Sequence, residues 1–274
     1  METHRLPEEL LRRAVEVLVV GCGGTGSAIV GGLPYLHSAM LTQGHPNGLH
    51  VTVMDGDTIS PINCIRQPFA KSEVGLNKAI VLVNRINLFW GVDWAAIPKA
   101  LTKETLHPEY ARYNERYLRP DIVIGCVDTR GARAVITACV SGSSLCGYWL
   151  DLGNSSASGQ FVLGEPANSR NKRSRTRLRT VGELYPEVVN PALDRDNEPS
   201  CSALESLDRQ GPYVNTVLAQ HALALLARLF QNGEIAYHGA FVDIAGARCT
   251  PLPVDPRLWR RVRRRQRWQE TPAA

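Results

Sequence analysis

The chain has 274 residues, 44% of them apolar and 21% charged, and a formal net charge of +5. This composition excludes intrinsic disorder, a collagen-like repeat and a small disulfide scaffold, and no apolar stretch reaches the roughly 20 residues that cross a bilayer. The seven cysteines are scattered and odd in number, which is typical of reduced thiols, and the first residues show no secretion signal. We expect one elaborated domain in the cytoplasm, without membrane contact.

Short apolar runs alternate with helical patterns along the first half of the chain. The apolar runs predict strands at residues 16–20, 50–54, 121–127, 148–152 and 160–163. The helical patterns predict helices at residues 27–36, 77–87 and 131–140. This alternation predicts an α/β fold, a Rossmann-like doubly wound mixed sheet. Residues 165–200 lose this regularity and predict a crossover loop, followed by a long helix at 213–230 and C-terminal strands from 239–244 onward.

Positive charge is concentrated in two segments that contain no acidic residue. Residues 170–179 hold six basic residues and residues 257–267 hold seven arginines. The rest of the chain therefore has 18 of the 31 basic residues and all 26 acidic residues, so its net charge is negative. Patches of this kind favour an acidic protein, a nucleotide or nucleic acid as partner, whereas a solvated loop and a disordered tail are the alternative. Trp259 and Trp268 could stack on bases, but the tail lacks a recognisable reading module, so nucleic acid is the weaker hypothesis.

A glycine-rich motif, G-C-G-G-T-G, follows the first strand and opens a helix. Gly21 would allow the tight turn, Gly23 would let a phosphate approach the backbone, and Gly26 would permit close helix packing. Gly24 belongs to the same predicted cofactor-binding loop. The start of the helix offers unpaired N–H groups to that phosphate. Asp55 ends the next strand, where a carboxylate would bind a ribose. Taken alone, the motif predicts an adenine-nucleotide site and leaves NAD open.

A second group of polar residues follows Asp55 and argues against hydride transfer. Its members are Asp57, Asn63, Arg66, Gln67, Lys71 and Lys78. Arg and Lys beside phosphates stabilise the negative charge that grows on departing oxygens in phosphoryl or nucleotidyl transfer. Asp128 follows the third strand, where α/β sheets place ligand-facing groups, and its carboxylate could hold Mg²⁺. Solvated surface charges, with a helix cap at Asp128, are the alternative.

These motifs resemble the ThiF/MoeB/HesA family, bacterial relatives of ubiquitin-activating enzymes, over roughly residues 15–230. The resemblance rests on the glycine motif, D-G-D at 55–57, N-x-x-R-Q at 63–67, Lys78 and the V-D-T after the third strand. It implies that MgATP and the terminal glycine carboxylate of a ubiquitin-like protein give an acyl-adenylate and pyrophosphate. The resemblance implies that Asp55 binds the ribose and that Asp128 binds Mg²⁺. It also implies that Asn63, Arg66 and Lys78 bind the phosphates, and that Asp57 and Gln67 lie beside the nucleotide.

The resemblance also implies later steps and an assembly. Cys201 would take the acyl group as a thioester and pass it to a conjugating-enzyme-like protein, although an inert thiol is an equal alternative. Family members form homodimers, often with an N-terminal arginine reaching the partner's ATP, and Arg5, Arg12 and Arg13 are the candidates here. No two cysteines have C-x-x-C spacing, so we expect no structural zinc.

The wording of several motifs is most similar to the ThiF-type proteins of PRTRC systems. On this basis we expect a ThiF-type adenylation domain at residues 1–254 and an arginine-rich tail at 255–274. The domain would comprise a nucleotide-binding half at about 15–165 and a crossover and partner-binding half at about 166–254. Two other classes stay open: an adenylating family member that acts on a small molecule or tRNA, and a non-catalytic nucleotide-binding protein or NAD-dependent oxidoreductase.

Overall fold

The computed structural model describes residues 2–102, 119–141, 146–169, 171–194 and 211–270, with the backbone alone for 265–270. Its α-helices are α1 (Gly24–Thr42), α2 (Asn63–Arg66), α3 (Lys78–Trp90), α4 (Arg130–Val140), α5 (Val181–Leu184), α6 (Val214–Asn232) and α7 (Pro256–Glu270). Its strands are β1 (His4–Arg5), β2 (Val15–Val20), β3 (Leu49–Met54), β4 (Ala95–Ile97), β5 (Ile122–Gly125), β6 (Tyr148–Asn154), β7 (Ser158–Gly164), β8 (Glu234–Ile235), β9 (Tyr237–Asp243) and β10 (Arg248–Pro253). Within these ranges, every helix is too short or too polar to span a bilayer.

Eight strands form one mixed sheet in the order β4-β3-β2-β5-β6-β7-β9-β10. The first five are parallel, and β7, β9 and β10 each pair antiparallel with the strand before them in this order. The chain order reverses at β2, which lies between β3 and β5, so the carboxyl ends of these strands form a topological switch point. The predicted α/β fold with C-terminal strands is confirmed.

Helix α1 extends beyond the predicted range of 27–36 at both ends because it packs closely against α6. A Cβ atom at Gly32 would lie 2.3 Å from Cδ1 of Leu223 on α6. The glycine therefore allows the two helices to approach rather than ending the helix, and Pro34 is buried within the same helix. Packing against a neighbouring helix overrides the low helix propensity of Gly and Pro.

One strand boundary and two short or edge strands illustrate where the structure differs from the sequence-based expectation. Strand β5 ends at Gly125 instead of residue 127, because the chain turns there so that Thr129 can cap α4 by accepting a hydrogen bond from the N–H of Ala132 (3.1 Å). Strand β4 was not predicted because it has three residues. Strand β10 was also not predicted, since it contains two prolines; it lies at the edge of the sheet, where proline is tolerated.

The arginine-rich C-terminal segment is a helix, α7, that is anchored by a buried tryptophan. Trp259 is 2% exposed, and its Nε1 donates a hydrogen bond to Nε2 of His238 (3.0 Å) on β9. The alternative of a disordered tail is therefore wrong for residues 256–270. Stacking of Trp259 on a nucleic-acid base is also wrong, because its ring lies in the core; the side chain of Trp268 lies outside the described part of the chain.

One arginine of the basic segment 170–179 is buried instead of solvated. The Arg177 side chain is 2% exposed and donates to both carboxylate oxygens of Glu183, at 2.8 and 2.6 Å, and to the backbone oxygen of Glu165 at 2.6 Å. A buried arginine requires such a partner, because an unpaired buried charge is strongly destabilising. Arg177 therefore fixes the crossover segment internally and does not contribute to a binding surface.

Two buried histidines are expected to make the protein less stable below neutral pH. Burial lowers the pKa of both His4 and His238 to about 4 from an ordinary value of 6.5. The unfolded chain therefore binds protons more readily than the folded protein between pH 6.5 and 4, so stability is lost as the pH falls through this window. The raised pKa of the buried Glu165 acts in the opposite direction.

The contribution of one histidine can be isolated with a variant. Lowering the pH from 7 to 5 is expected to cost the wild-type protein about 2 kcal/mol through His238 alone. His238→Gln removes this titrating group, so its free energy of unfolding should fall less over the same interval. Urea unfolding of both proteins at pH 7 and pH 5 provides the measurement. Equal losses in the two proteins would show that His238 does not titrate as proposed.

Candidate active site

A cleft of about 1050 Å³ opens at the switch point of the sheet, at the carboxyl ends of the parallel strands. Its walls come from the segments that follow β2, β3 and β5 and from the start of α6. Ten of the predicted site residues line it, namely Gly21, Gly23, Gly24, Asp55, Asp57, Asn63, Arg66, Gln67, Lys78 and Asp128. Gly26 lies outside the lining, and Cys201 falls outside the described residues.

The four glycines of the loop after β2 meet different steric requirements. Gly21 has a φ of +94°, a conformation that L side chains rarely adopt, and a Cβ atom there would lie 2.8 Å from the backbone oxygen of Cys126. A Cβ atom at Gly24 would lie 2.1 Å from Nδ2 of Asn215, and one at Gly26 would lie 1.8 Å from the backbone oxygen of Gly21. A Cβ atom at Gly23 would meet nothing within 4 Å. Only Gly23 therefore leaves its backbone open to a ligand.

Asp55 joins the end of β3 to the glycine-rich loop. Its Oδ2 accepts a hydrogen bond from the backbone N–H of Cys22, and its Oδ1 accepts one from the N–H of Asp57 (2.7 Å). Burial raises the pKa of Asp55, and these two backbone bonds oppose the shift. A carboxylate has about four acceptor positions, so capacity for a ribose hydroxyl is left at the cleft. Asp55 thus positions the loop in addition to lining the site.

Lys78 is the first residue of α3 and places a buried cation in the cleft wall. Its side chain is 8% exposed, and its Nζ lies 2.9 Å from Oδ2 of Asp57, whose side chain is 72% exposed. Asn77 caps the helix by accepting from the N–H of Ile80 (3.1 Å), and its Nδ2 donates to the backbone oxygens of Asp55 (2.9 Å) and Asp57 (3.1 Å). This double role fixes the Lys78 ammonium group beside the end of β3.

The short helix α2 brings three further predicted residues to the same cleft. Burial lowers the pKa of Arg66, and the charge of Asp128 across the cleft opposes this shift. Asn63 accepts a hydrogen bond from the N–H of Ser60 (3.0 Å), which fixes the start of α2. Gln67 is 8% exposed, and its Oε1 has no hydrogen-bond partner among the described residues. Arg66 and Asp128 are thus close enough to interact, and Gln67 presents an unsatisfied acceptor.

A polar network that the sequence motifs did not indicate joins the glycine-rich loop to α6. The hydroxyl of Thr25 donates to Oδ1 of Asn215 (2.9 Å) and lies 3.2 Å from Oδ1 of Asn154. Asn215 is 2% exposed, and its Nδ2 lacks a hydrogen-bond partner within the described ranges. All three residues line the cleft. Asn215 lies in the same buried stripe of α6 as Leu218 and Ala222, and this position could have been recognised in the sequence. A buried amide is normally hydrogen-bonded, so a polar residue in an apolar stripe indicates a polar partner.

Helix α4 contributes two more arginines to the cleft that the motifs did not indicate. Arg133 is 8% exposed, and its Nε lies 3.2 Å from Oδ1 of Asp151, whose pKa is raised to about 6 by burial, with Arg133 opposing the shift. Both carboxylate oxygens of Asp194 accept from backbone N–H groups, of Arg130 and Gly131, at 2.8 Å each. Asp194 therefore caps α4 from the crossover segment and attaches that segment to the rim of the cleft.

Two cysteines and the three candidate N-terminal arginines have contacts or surroundings within the described part of the chain that bear on their predicted roles. Burial raises the pKa of the Cys22 and Cys126 thiols, which disfavours the reactive thiolate in both. The three candidate arginines are each paired within the chain: Arg5 with Glu234 (3.6 Å), Arg12 with Glu8 (2.9 Å) and Arg13 with Asp121 (2.6 Å). A role for any of them across a dimer would require that this pairing be exchanged.

Two features of the cleft are compatible with a bound nucleotide. Gly23 leaves open space beside the backbone at the start of α1, where N–H groups can bind a phosphate. Gln67 and Asn215 present one unsatisfied acceptor and one unsatisfied donor in the cleft wall. No group of three His, Cys, Asp or Glu residues among those described could hold a metal ion. Mg²⁺ would therefore need phosphate oxygens in addition to Asp128, which is its usual mode of binding.

Comparisons with known proteins agree with this architecture. The family model described as "ThiF family" matches residues 7–263. The structure of selenomethionyl PaaA has a TM-score of 0.57 and 14% identity, with 89% of this chain and 65% of that chain covered. E. coli MccB, solved with MccA-N7isoASN, has a TM-score of 0.54 and 15% identity, with 90% and 66% covered. The chain thus spans about two thirds of these structures, which show the fold alone. A search of curated proteins found no match.

Proposed function

Because the chain belongs to the ThiF family, we propose that its cleft binds ATP and joins AMP to a carboxylate, with release of pyrophosphate. The observation that carries this proposal is the convergence of the glycine-rich loop, the cations after β3 and Asp128 after β5 on one cleft. A nicotinamide site would account for the glycines and Asp55. It would give no use to Arg66 and Lys78 beside a phosphate-binding loop.

The proposed reaction needs fixed positive charge more than it needs an acid or a base. A carboxylate oxygen attacks the α-phosphorus of ATP, the bond from that phosphorus to the bridging oxygen breaks, and pyrophosphate leaves with the electron pair. Because the two reactants are anions, they repel each other unless the site neutralises them. Arg66 and Lys78 are held in the cleft wall by α2 and α3, so this neutralisation costs little rearrangement during the reaction.

Other residues of the cleft would bind and orient the nucleotide. The backbone at Gly23 and the start of α1 would bind phosphate, and Asp55 would bind the ribose. Asn63 and Gln67 would position the nucleotide beside Arg66, and Asp57 would hold Lys78 in place. Mg²⁺, bound by Asp128 and phosphate oxygens, would neutralise part of the phosphate charge.

We further propose that the carboxylate is the C-terminal glycine of a ubiquitin-like protein. Cys201 would then take the acyl group as a thioester, releasing AMP, and pass it to a conjugating-enzyme-like protein. This part rests on the motif resemblance, including the likeness to PRTRC-system proteins. The homodimer, and the division into an adenylation domain at 1–254 and a tail at 255–274, are proposals with the same basis.

Exchange of labelled pyrophosphate into ATP tests the proposed substrate. Exchange is expected with a ubiquitin-like protein that ends in glycine, and it should disappear when the terminal carboxylate is amidated. A mass addition on the wild type that hydroxylamine removes but a phosphine reductant does not, and that Cys201→Ala lacks, would support the thioester step. Exchange that persists with the amidated protein would contradict the substrate assignment. Exchange only with a small acid or with tRNA would point to the other adenylating class.

A further inference from the structure

Two basic segments that lie far apart in the sequence meet on one surface. Helix α7 packs against α5, which directly follows the first basic segment. The pKa of Arg179 is lowered chiefly by burial and then by Arg177, and the charge of Arg263 on α7 acts in the same direction. We define the basic surface as the exposed cations of both segments, which are Lys172, Arg173, Arg175, Arg257, Arg260, Arg261, Arg263 and Arg264.

The body of the protein holds α7 in one orientation. Trp259 is buried, and Leu258 packs against the core on the same side of the helix. Arg257, Arg260 and Arg264 follow the i, i+3, i+7 spacing of a single helix face, and each of them is exposed. At 1.5 Å per residue, this face extends a row of cations over about 10 Å. The buried tryptophan thus fixes which side of α7 carries the charge to solvent.

The charge on this face is not balanced within the described part of the chain. None of the five arginines from 257 to 264 forms an ion pair with a described residue. Like charges at i, i+3 and i, i+4 destabilise a helix by about 0.2–0.5 kcal/mol per pair, so a polyanion that binds this face would relieve repulsion. Outside the two basic segments the chain has 26 acidic and 18 basic residues, so its net charge there is negative and favours binding of a polyanion at the basic surface over most of the remaining surface.

We propose that the basic surface binds the phosphate backbone of nucleic acid without sequence preference. Seven of its eight cations are arginines, whose planar guanidinium groups bind phosphate in bidentate geometry. The described side chains of the two segments include no exposed large apolar residue, whereas a protein interface depends on apolar or aromatic anchors. Because Trp259 is buried, base stacking by that ring is unavailable. This inference concerns a surface distinct from the cleft and does not depend on adenylation.

Binding of a fluorescent 20-base-pair duplex, followed by anisotropy over a series of salt concentrations, tests the proposal. The full chain is compared with the triple variant Arg260→Gln, Arg261→Gln and Arg264→Gln. A matched control neutralises three arginines outside the surface, Arg5→Gln, Arg12→Gln and Arg85→Gln, so that both variants lose the same charge. The slope of the logarithm of the binding constant against the logarithm of the salt concentration is expected to become shallower by about three in the surface variant, about one for each lost phosphate contact. In the control variant this slope should stay unchanged.

Each other outcome overturns the proposal. Absence of duplex binding by the wild-type protein at roughly 50 mM salt would contradict the proposal, since non-specific binding to nucleic acid is strong at low salt concentration. Equal weakening in the surface variant and the control would show an effect of net charge alone. Polyglutamate of matched charge that binds as tightly as the duplex would assign the surface to an acidic protein instead. Circular dichroism of the variants confirms that the helix content is unchanged.

Discussion

Replacing Arg66 with alanine is expected to lower kcat/KM for adenylation by about a hundredfold to a thousandfold while the fold survives. Losses of this size are typical when one fixed group that stabilises developing charge is removed. Arg66 lies in the cleft wall on a four-residue helix that has no fully buried residue, so its substitution leaves the hydrophobic core intact. Asp128→Ala removes the carboxylate across the cleft, and we expect it to lower kcat/KM for adenylation at least as much as Arg66→Ala does.

A second arginine provides the matched control for this experiment. Arg85 lies on α3, is 44% exposed and pairs with Glu73 at 2.7 Å, away from the cleft lining. Arg85→Ala should therefore leave pyrophosphate exchange within about twofold of the wild type, since exposed ion pairs contribute little. Thermal unfolding of all three variants separates catalytic loss from unfolding. Normal exchange by Arg66→Ala or Asp128→Ala would contradict the roles proposed for them.

Alanine substitutions at three glycines near the start of α1 are expected to have three different effects. Gly26→Ala should destabilise the fold by about 2 kcal/mol or more, because its Cβ atom would lie 1.8 Å from the backbone oxygen of Gly21, and backbone cannot move aside cheaply. Gly31→Ala lies in the same helix with nothing within 4 Å, so it should stabilise the protein by up to about 1 kcal/mol.

Gly23→Ala is expected to cost at most about 1 kcal/mol of stability, because alanine is a poorer N-cap for α1 than glycine, and to weaken ATP binding. Its Cβ atom meets no protein atom within 4 Å and would project into the space that a phosphate needs. A steric cost of about 1–3 kcal/mol corresponds to roughly a tenfold to a hundredfold loss of affinity. Urea unfolding and calorimetric titration with ATP provide the two measurements. Unchanged ATP affinity in Gly23→Ala would show that the phosphates do not lie against this loop.

Local motifs predicted the fold and most of the proposed site because their residues lie at fixed positions relative to strand ends. The glycine motif, Asp55 and Asp128 each follow a parallel strand, and the carboxyl ends of such strands meet at one edge of a sheet. Arg66 and Lys78 could be added because they belong to the segment that follows β3. Pattern and topology therefore sufficed to predict ten residues of the cleft lining.

The remaining features depend on contacts between residues that are distant in the sequence. Thr25 and Asn215 are 190 residues apart, and only the packing of α1 against α6 brings them together. The basic segment 170–179 likewise could not reveal that Arg177 turns inward to Glu183 while Arg173 faces solvent. Burial of Trp259 required β9 and its His238 as a partner. Composition gives the charge of such segments but not the side on which each charge lies.

The fate of the ATP phosphates tests the central claim most directly. The protein is incubated with a ubiquitin-like protein that ends in glycine and with ATP labelled at either the α- or the γ-phosphate. The proposed chemistry predicts that the α-label first becomes attached to the carboxylate substrate and is then released as AMP when Cys201 takes the acyl group, while the γ-label is released as pyrophosphate; in Cys201→Ala the α-label should stay on the substrate. Transfer of the γ-label to the substrate, or recovery of unchanged ATP from a protein that binds it, would contradict the formation of an acyl-adenylate in this cleft.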